Sequence, residues 1–191
     1  AIYWNAVGEG VPLYLSNSKT WRALETLTPK RAGTHIADLG SGLGGALWHL
    51  ADVRPDARFD GFETAPLVYL FTRLRLLVQP RANLGVHFLS IWRADLSTFD
   101  MVYCFLSPVP MERLYAKAKD EMQPGSLFVS NSFAVPGVAP PLAFGLLAAV
   151  RGHSPPLPAH VVQKSLRGPD SWDLLRNAFF PCGMVLGSLL E

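Results

Sequence analysis

Charged side chains are scarce in this 191-residue chain: they make up 17% of it, and the formal net charge is +2. A balance so near neutral, with no block of basic residues, does not by itself argue for nucleic acid or a membrane surface as a partner. Cysteine is almost missing. Cys104 and Cys182 form neither a disulfide framework nor a metal-ligand spacing, so reduced thiols and a cytoplasmic location are expected. The five histidines, His35, His49, His87, His153 and His160, share no ligand spacing, so no metal site is expected and structural or surface roles are. The opening Ala1-Ile2-Tyr3-Trp4-Asn5 has no basic region and no long apolar core, which excludes a signal peptide there. It does not begin with methionine, as expected of a trimmed or partial chain. Gly125 to Val150 carries no charge, but Pro136, Pro140 and Pro141 and the polar Ser130-Asn131-Ser132 interrupt it. A spanning helix needs about 20 mostly apolar residues in a row, so no stable membrane span is expected, only a strand, a loop and a short helix.

What is present is enough apolar material, 49% of residues, for one domain with a real core. Ser18 to Leu27 reads as a short helix capped by Ser18, with Trp21, Leu24 and Leu27 on one face. Strands are expected at Thr34–Leu39, Arg58–Glu63, Val86–Leu89, Phe99–Phe105 and Ser126–Phe133. Helices alternate with them. One covers Gly44–Val53. The next starts at Pro66, a favourable first-turn position, with Leu67, Leu70, Phe71, Leu74 and Val78 as its expected inner stripe. The last carries Met111, Leu114, Tyr115, Ala118 and Met122 on one face. This alternation predicts a Rossmann-like, doubly wound, mostly parallel α/β sheet with ligands beyond the carboxyl ends of its strands. Two regions are expected: a core with its lead-in over 1–137, and an atypical C-terminal extension over 138–191 in which no strand pair is legible.

The chemistry concentrates in Asp38-Leu39-Gly40-Ser41-Gly42-Leu43-Gly44-Gly45. Gly40, Gly42 and Gly45 satisfy the dinucleotide spacing G-x-G-x-x-G, a weak signal alone. A nicotinamide enzyme is disfavoured because more than thirty residues precede the strand and because Asp38 stands where such strands are normally apolar. An acid at that position suits a ligand with a cationic amino-acid end. Glu63, at the end of the second strand, is a second acid about 20 residues further on. A helix-cap acid and an exposed loop acid are the ordinary alternatives for the two.

The apolar-apolar-Asp-Leu-Gly-Ser-Gly-x-Gly pattern resembles motif I of the class I S-adenosylmethionine-dependent methyltransferases. That resemblance implies S-adenosyl-L-methionine as cofactor, with Asp38, Gly40, Ser41, Gly42 and Gly44 around its methionine part and ribose, and Glu63 on the ribose hydroxyls. Further segments are similar to one group within the class. They are Gly61-Phe62-Glu63-Thr64-Ala65-Pro66-Leu67-Val68-Tyr69, Arg73-Leu74-Arg75, Ser90-Ile91-Trp92 and Phe105-Leu106-Ser107-Pro108 with Pro110-Met111, preceded by Val11-Pro12-Leu13-Tyr14. This group comprises the protein-lysine methyltransferases acting on the ATP synthase c-subunit and the adenine nucleotide translocase, with their prokaryotic relatives. The likeness covers roughly residues 11–137. It implies a lysine side chain of a protein as methyl acceptor; from the near-neutral charge, no nucleic acid is expected as partner. The sequence departs from the group at Ser90, where an acid is usual, and after Gly137.

Methyl transfer from a sulfonium needs orientation of the two reactants, not a triad or a metal. Tyr14, Phe105, Pro108 and Phe133 are candidate walls of an acceptor channel. Ser107 and Asn131, at the ends of the fourth and fifth strands, are the candidate catalytic residues, orienting the amine through hydrogen bonds. Trp92 is the candidate for the adenine ring, with a core position as its ordinary alternative. The remaining alternatives are a small-molecule methyltransferase on the same fold and a non-catalytic S-adenosylmethionine-binding or interaction domain.

Overall fold

The computed structural model describes residues 15–131, together with the backbone of strand segments 143–144, 147–148 and 159–163. Helix α1 (Ser18–Leu27) is followed by β1 (His35–Leu39), α2 (Gly45–Val53), β2 (Arg58–Glu63), α3 (Pro66–Val78), β3 (Leu84–Phe88), β4 (Met101–Cys104), α4 (Met111–Glu121) and β5 (Ser126–Ser130). These five strands are parallel, in the order β3-β2-β1-β4-β5. The order reverses between β1 and β4, and the carboxyl ends of those two strands form the switch point where such sheets bind ligands.

The helices cover the sheet unequally. One face buries Leu24 of α1 and Leu47, Leu50 and Ala51 of α2 against Ile36, Phe59, Met101 and Val129. The other buries Met111, Leu114 and Ala118 of α4 against Val102, Cys104, Leu106 and Phe128. Between β3 and β4 the chain makes only a short 3-10 turn, Leu96–Thr98, in place of a helix. Near that gap the sheet carries a polar cluster instead of an apolar layer. Asp60 of β2 takes His35 Nε2 at 2.5 Å, His87 Nε2 at 2.6 Å and Arg58 Nε at 3.2 Å.

Three sequence-based expectations change. Asn17, not Ser18, caps α1: its side chain accepts from the Thr20 N–H at 3.0 Å. The sheet also extends beyond β5. Strand β8 (Ala159–Gln163) pairs parallel to β5, and β7 (Leu147–Ala148) and β6 (Ala143–Phe144) add antiparallel beyond it. Two of these three strands are two residues long, too short to leave a period in the sequence.

The third change is the largest. The stripe Leu67, Leu70, Phe71, Leu74 and Val78 points outward, each residue at least half exposed. The fully buried position of α3 is Thr72, and its neighbours on the packed side are Val68, Tyr69, Arg75 and Leu76. The packed side is polar. Thr72 Oγ1 lies 2.7 Å from Val68 O of its own helix and 3.0 Å from Gly42 O, so its one proton is shared between these two acceptors, while Arg75 Nη1 donates to Leu43 O at 3.1 Å. Arg75 also lies flat over the Trp48 ring at 4.2 Å. These contacts hold the polar side of α3 against the glycine turn and leave the apolar stripe outward.

Candidate active site

The glycine turn joins β1 to α2 and is held from four sides. Gly40 N–H and Ser41 N–H both donate to Phe62 O, at 2.9 and 3.0 Å. Gly42 N–H donates to Glu63 Oε2 at 3.0 Å, and Gly44 N–H to Ser41 O at 2.9 Å. Thr72 and Arg75 supply the remaining donors. Gly40 and Gly44 have φ of 77° and 73°. A Cβ at Gly40 would lie 2.6 Å from Leu106 Cδ2, and one at Gly44 would lie 2.5 Å from the Trp48 ring. Only glycine takes that backbone readily and leaves that space.

Asp38 sits on β1 at the switch point, in register with Gly61 of β2 and Tyr103 of β4. Its carboxylate is buried and has no hydrogen bond or ion pair among the described residues. Burial, reinforced by the negative Glu63, pushes its pKa up to about 8. A buried acid that lacks a counter-charge is a seat for a cation, which would relieve both effects. Glu63 is differently placed. Its Oε1 accepts from the Thr64 and Ala65 N–H groups, both at 2.8 Å, and its Oε2 from Gly42. The acid thus ties the end of β2 to the glycine turn while staying beside Asp38.

The carboxyl ends of β4 and β5 complete the site. Asn131 Nδ2 donates to Tyr103 Oη at 3.2 Å, and both side chains are buried. Burial pushes the Tyr103 phenol well above its usual range, helped by Asp38. The same phenol meets Ser16, whose hydroxyl accepts from Trp21 Nε1 at 2.8 Å. Ser107 Oγ is buried with no hydrogen-bond partner, and Ser41 Oγ is in the same condition beneath Gly61.

The structure therefore brings Asp38, Gly40, Ser41, Gly42, Gly44 and Glu63 into one turn-and-strand-end cluster. Asn131 is linked to it through Tyr103. Trp92 stands apart on the face packed by α4, with the Arg113 guanidinium 4.1 Å above its ring, so one face of the indole is already covered. Phe105 is partly buried against the α1–α2 side and Pro108 is exposed. Tyr14 and Phe133 lie outside the described residues. Sequence reasoning missed Thr72 and Tyr103. Thr72 and Arg75 form a polar line opposite an apolar stripe, a signal overridden by the assumption that apolar means inward. Tyr103 shows its role only once the β1–β4 register is known. Among the described residues, no group of three or more His, Cys, Asp or Glu has the geometry to hold a metal ion. None of the described helices is long and apolar enough to cross a membrane.

Comparison with known proteins places this site. The family profile of the ANTKMT methyltransferase domain matches residues 38–141. No curated protein sequence matches the chain significantly. Among solved structures, an RNA methyltransferase from Salinibacter ruber in complex with S-adenosyl-L-homocysteine is similar, with a TM-score of 0.64 at 19% identity over 82% of this chain and 97% of that one. A precorrin-6y C5,15-methyltransferase from Geobacter metallireducens gives 0.54 at 15% identity over 62% and 64% of the two chains. A geranyl diphosphate methyltransferase in complex with GPP and sinefungin gives 0.53 at 16% over 59% and 44%. The chain thus spans nearly all of the first neighbour and less than two thirds of the other two. At these identities the neighbours speak for the fold, and the match over more than half of the chain speaks for the family. The chain belongs to the ANTKMT methyltransferase-domain family and is a class I methyltransferase, dependent on S-adenosylmethionine.

Proposed function

We propose that the chain transfers a methyl group to the side-chain amine of a lysine in a protein, in a reducing, cytoplasmic-type compartment. The cofactor, when bound, supplies the electrophilic methyl. Asp38 faces its cationic amino-acid end, the glycine turn allows close backbone approach, and Glu63 stands on the ribose side. What remains for the protein is to present a neutral amine in line with that methyl. A lysine has a pKa of about 10.4 in water, and an apolar, water-poor approach lowers it.

The observation that carries the acceptor side is Ser107. Its buried hydroxyl, without a partner at the end of β4, is a hydrogen-bonding group held ready for something not supplied by the described residues. Tyr103 and Asn131 line the neighbouring strand ends as a fixed polar pair. The likeness to the lysine-methylating group and the family match support lysine over other acceptors.

Incubation with methyl-labelled S-adenosylmethionine and a cell extract, followed by mass spectrometry, tests the proposal. Modified lysine in a protein is the expected result. Label only in low-mass material would establish a small-molecule acceptor, and binding without transfer a non-catalytic domain. Ser107→Ala is expected to keep donor affinity and lower kcat. An unchanged kcat would remove Ser107 from the acceptor site.

A further inference from the structure

The outward face of α3 has no function in the methyl-transfer reading, and its composition is unusual for a solvent-facing helix. Leu67, Leu70, Phe71, Leu74, Leu77 and Val78 are all 50% to 80% exposed. They recur at steps of three and four and so form one stripe along the full length of the helix. Phe88, at the end of β3, is also 55% exposed, but its ring lies 5.2 Å from Tyr69 on the packed side of α3, so the stripe is made by the helix alone. Scattered exposed leucines are ordinary, but a contiguous apolar patch of several hundred Å² marks an interaction surface.

The charges around the stripe identify what it fits. No acid occurs from Thr64 to Ala94, while Arg73, Arg75, Arg81 and Arg93 do. Arg75 is held by Leu43 and Trp48, and Arg81 is paired with Asp52 of α2. Arg73 sits exposed on α3 itself with no acidic partner among the described residues. The whole-chain charge of +2 hides this local asymmetry. Two such faces brought together would supply no acid from Thr64 to Ala94 to offset either Arg73, so the charge favours an anionic partner over a second copy. An apolar stripe flanked by arginine matches the acyl–headgroup boundary of an anionic bilayer.

We propose that α3 is a membrane-surface helix. Its stripe lies in the interface of an anionic lipid bilayer, with Arg73 at the headgroups and without spanning. This concerns where the molecule sits and is independent of the methyl acceptor.

Flotation of the full chain with phosphatidylcholine vesicles, with and without phosphatidylglycerol, tests it. Wild type should float with the anionic vesicles. Leu70→Gln/Leu74→Gln should lower partitioning by at least about tenfold. Leu77→Gln/Val78→Gln, at two of the most exposed positions, should also lower it and provides the test should the first pair disturb folding. Arg73→Gln should cut the preference for anionic over neutral vesicles by about fivefold. Unchanged S-adenosylmethionine affinity in the leucine variants shows that the fold is intact. The proposal is overturned if wild type does not float, or if both leucine variants float as wild type does. It is equally overturned if the variants abolish a dimer seen by sedimentation while vesicle binding is absent. Thermal destabilisation of both variants without wild-type flotation would show that the chain's own remaining residues cover the face, and would overturn it too.

Discussion

Donor binding should depend steeply on pH, and Asp38 sets the size of the effect. In the free protein its pKa stands at about 8, so at pH 7 about nine sites in ten hold the protonated acid. A cationic ligand end needs the carboxylate. Binding therefore carries the work of ionising Asp38, which grows by about 1.4 kcal/mol, or tenfold in affinity, for each pH unit below about 8. Raising the pH from about 6 to 8 ionises Asp38 about fiftyfold more and should tighten S-adenosylmethionine binding by up to that factor, the gain being offset near and above pH 8 as the donor's own ammonium group loses its proton. Close to one proton should leave Asp38 per donor bound at pH 7. Calorimetry in two buffers of different ionisation enthalpy counts it, and the difference from Asp38→Asn removes the donor's own titration. The stability sign is opposite. The folded pKa is raised, so the folded state holds a proton that the unfolded chain releases near pH 4. The contribution of Asp38 to stability is therefore fully present below that pH and is lost as pH rises towards 8. Asp38→Asn should bind the donor weakly at every pH and lose this slope in both measurements. An affinity that is flat in wild type from about pH 6 to 9, or a slope retained in the Asn variant, would refute the assignment.

Other tests address the scaffold. Thr72→Val should cost about 1–2 kcal/mol in urea unfolding, because Gly42 O and Val68 O lose the hydroxyl they share; donor affinity should fall with it, and Thr72→Ser should restore both. Equal behaviour of the Val and Ser variants would show that the methyl, not the hydroxyl, positions α3. Gly44→Ala should cost at least about 2 kcal/mol, since it adds a strained φ to a collision with Trp48, and a melting temperature within error of wild type would rule that out. Burial pushes the Asp60 carboxyl up, but its bonds to His87 and His35 and the charge of Arg58 outweigh burial and hold its pKa below the usual range. Its contribution is therefore present above about pH 4 and lost on acidification. Asp60→Asn should lower stability at pH 7 and narrow the gap between pH 7 and acid, as read from denaturant midpoints.

The positions that the sequence exposed most clearly are those with local causes. Arg58–Glu63 as a strand and Pro66 as a helix start are fixed by short-range pattern and by proline's preset φ. Asp38 and Glu63 were visible because a strand end and a glycine turn place them by spacing alone. Trp92 was harder: an indole suits an adenine and a core equally, and Arg113 covers one face of its ring and leaves the other to either role. Ser107 and Asn131 were found as strand-end polar residues, but their conditions differ, one buried without a partner and the other bonded to Tyr103. That difference arises from the packing of β4 against β5 and has no trace in either segment.

The sequence by itself determined the order of elements, the glycine turn and the two acids, since each depends on residues within one or two turns of chain. Tertiary structure alone decided which way α3 faces. In the fold its Thr72–Arg75 side meets two turn carbonyls some thirty residues earlier, Gly42 O and Leu43 O, a long-range contact that the helix's own apolar period does not encode.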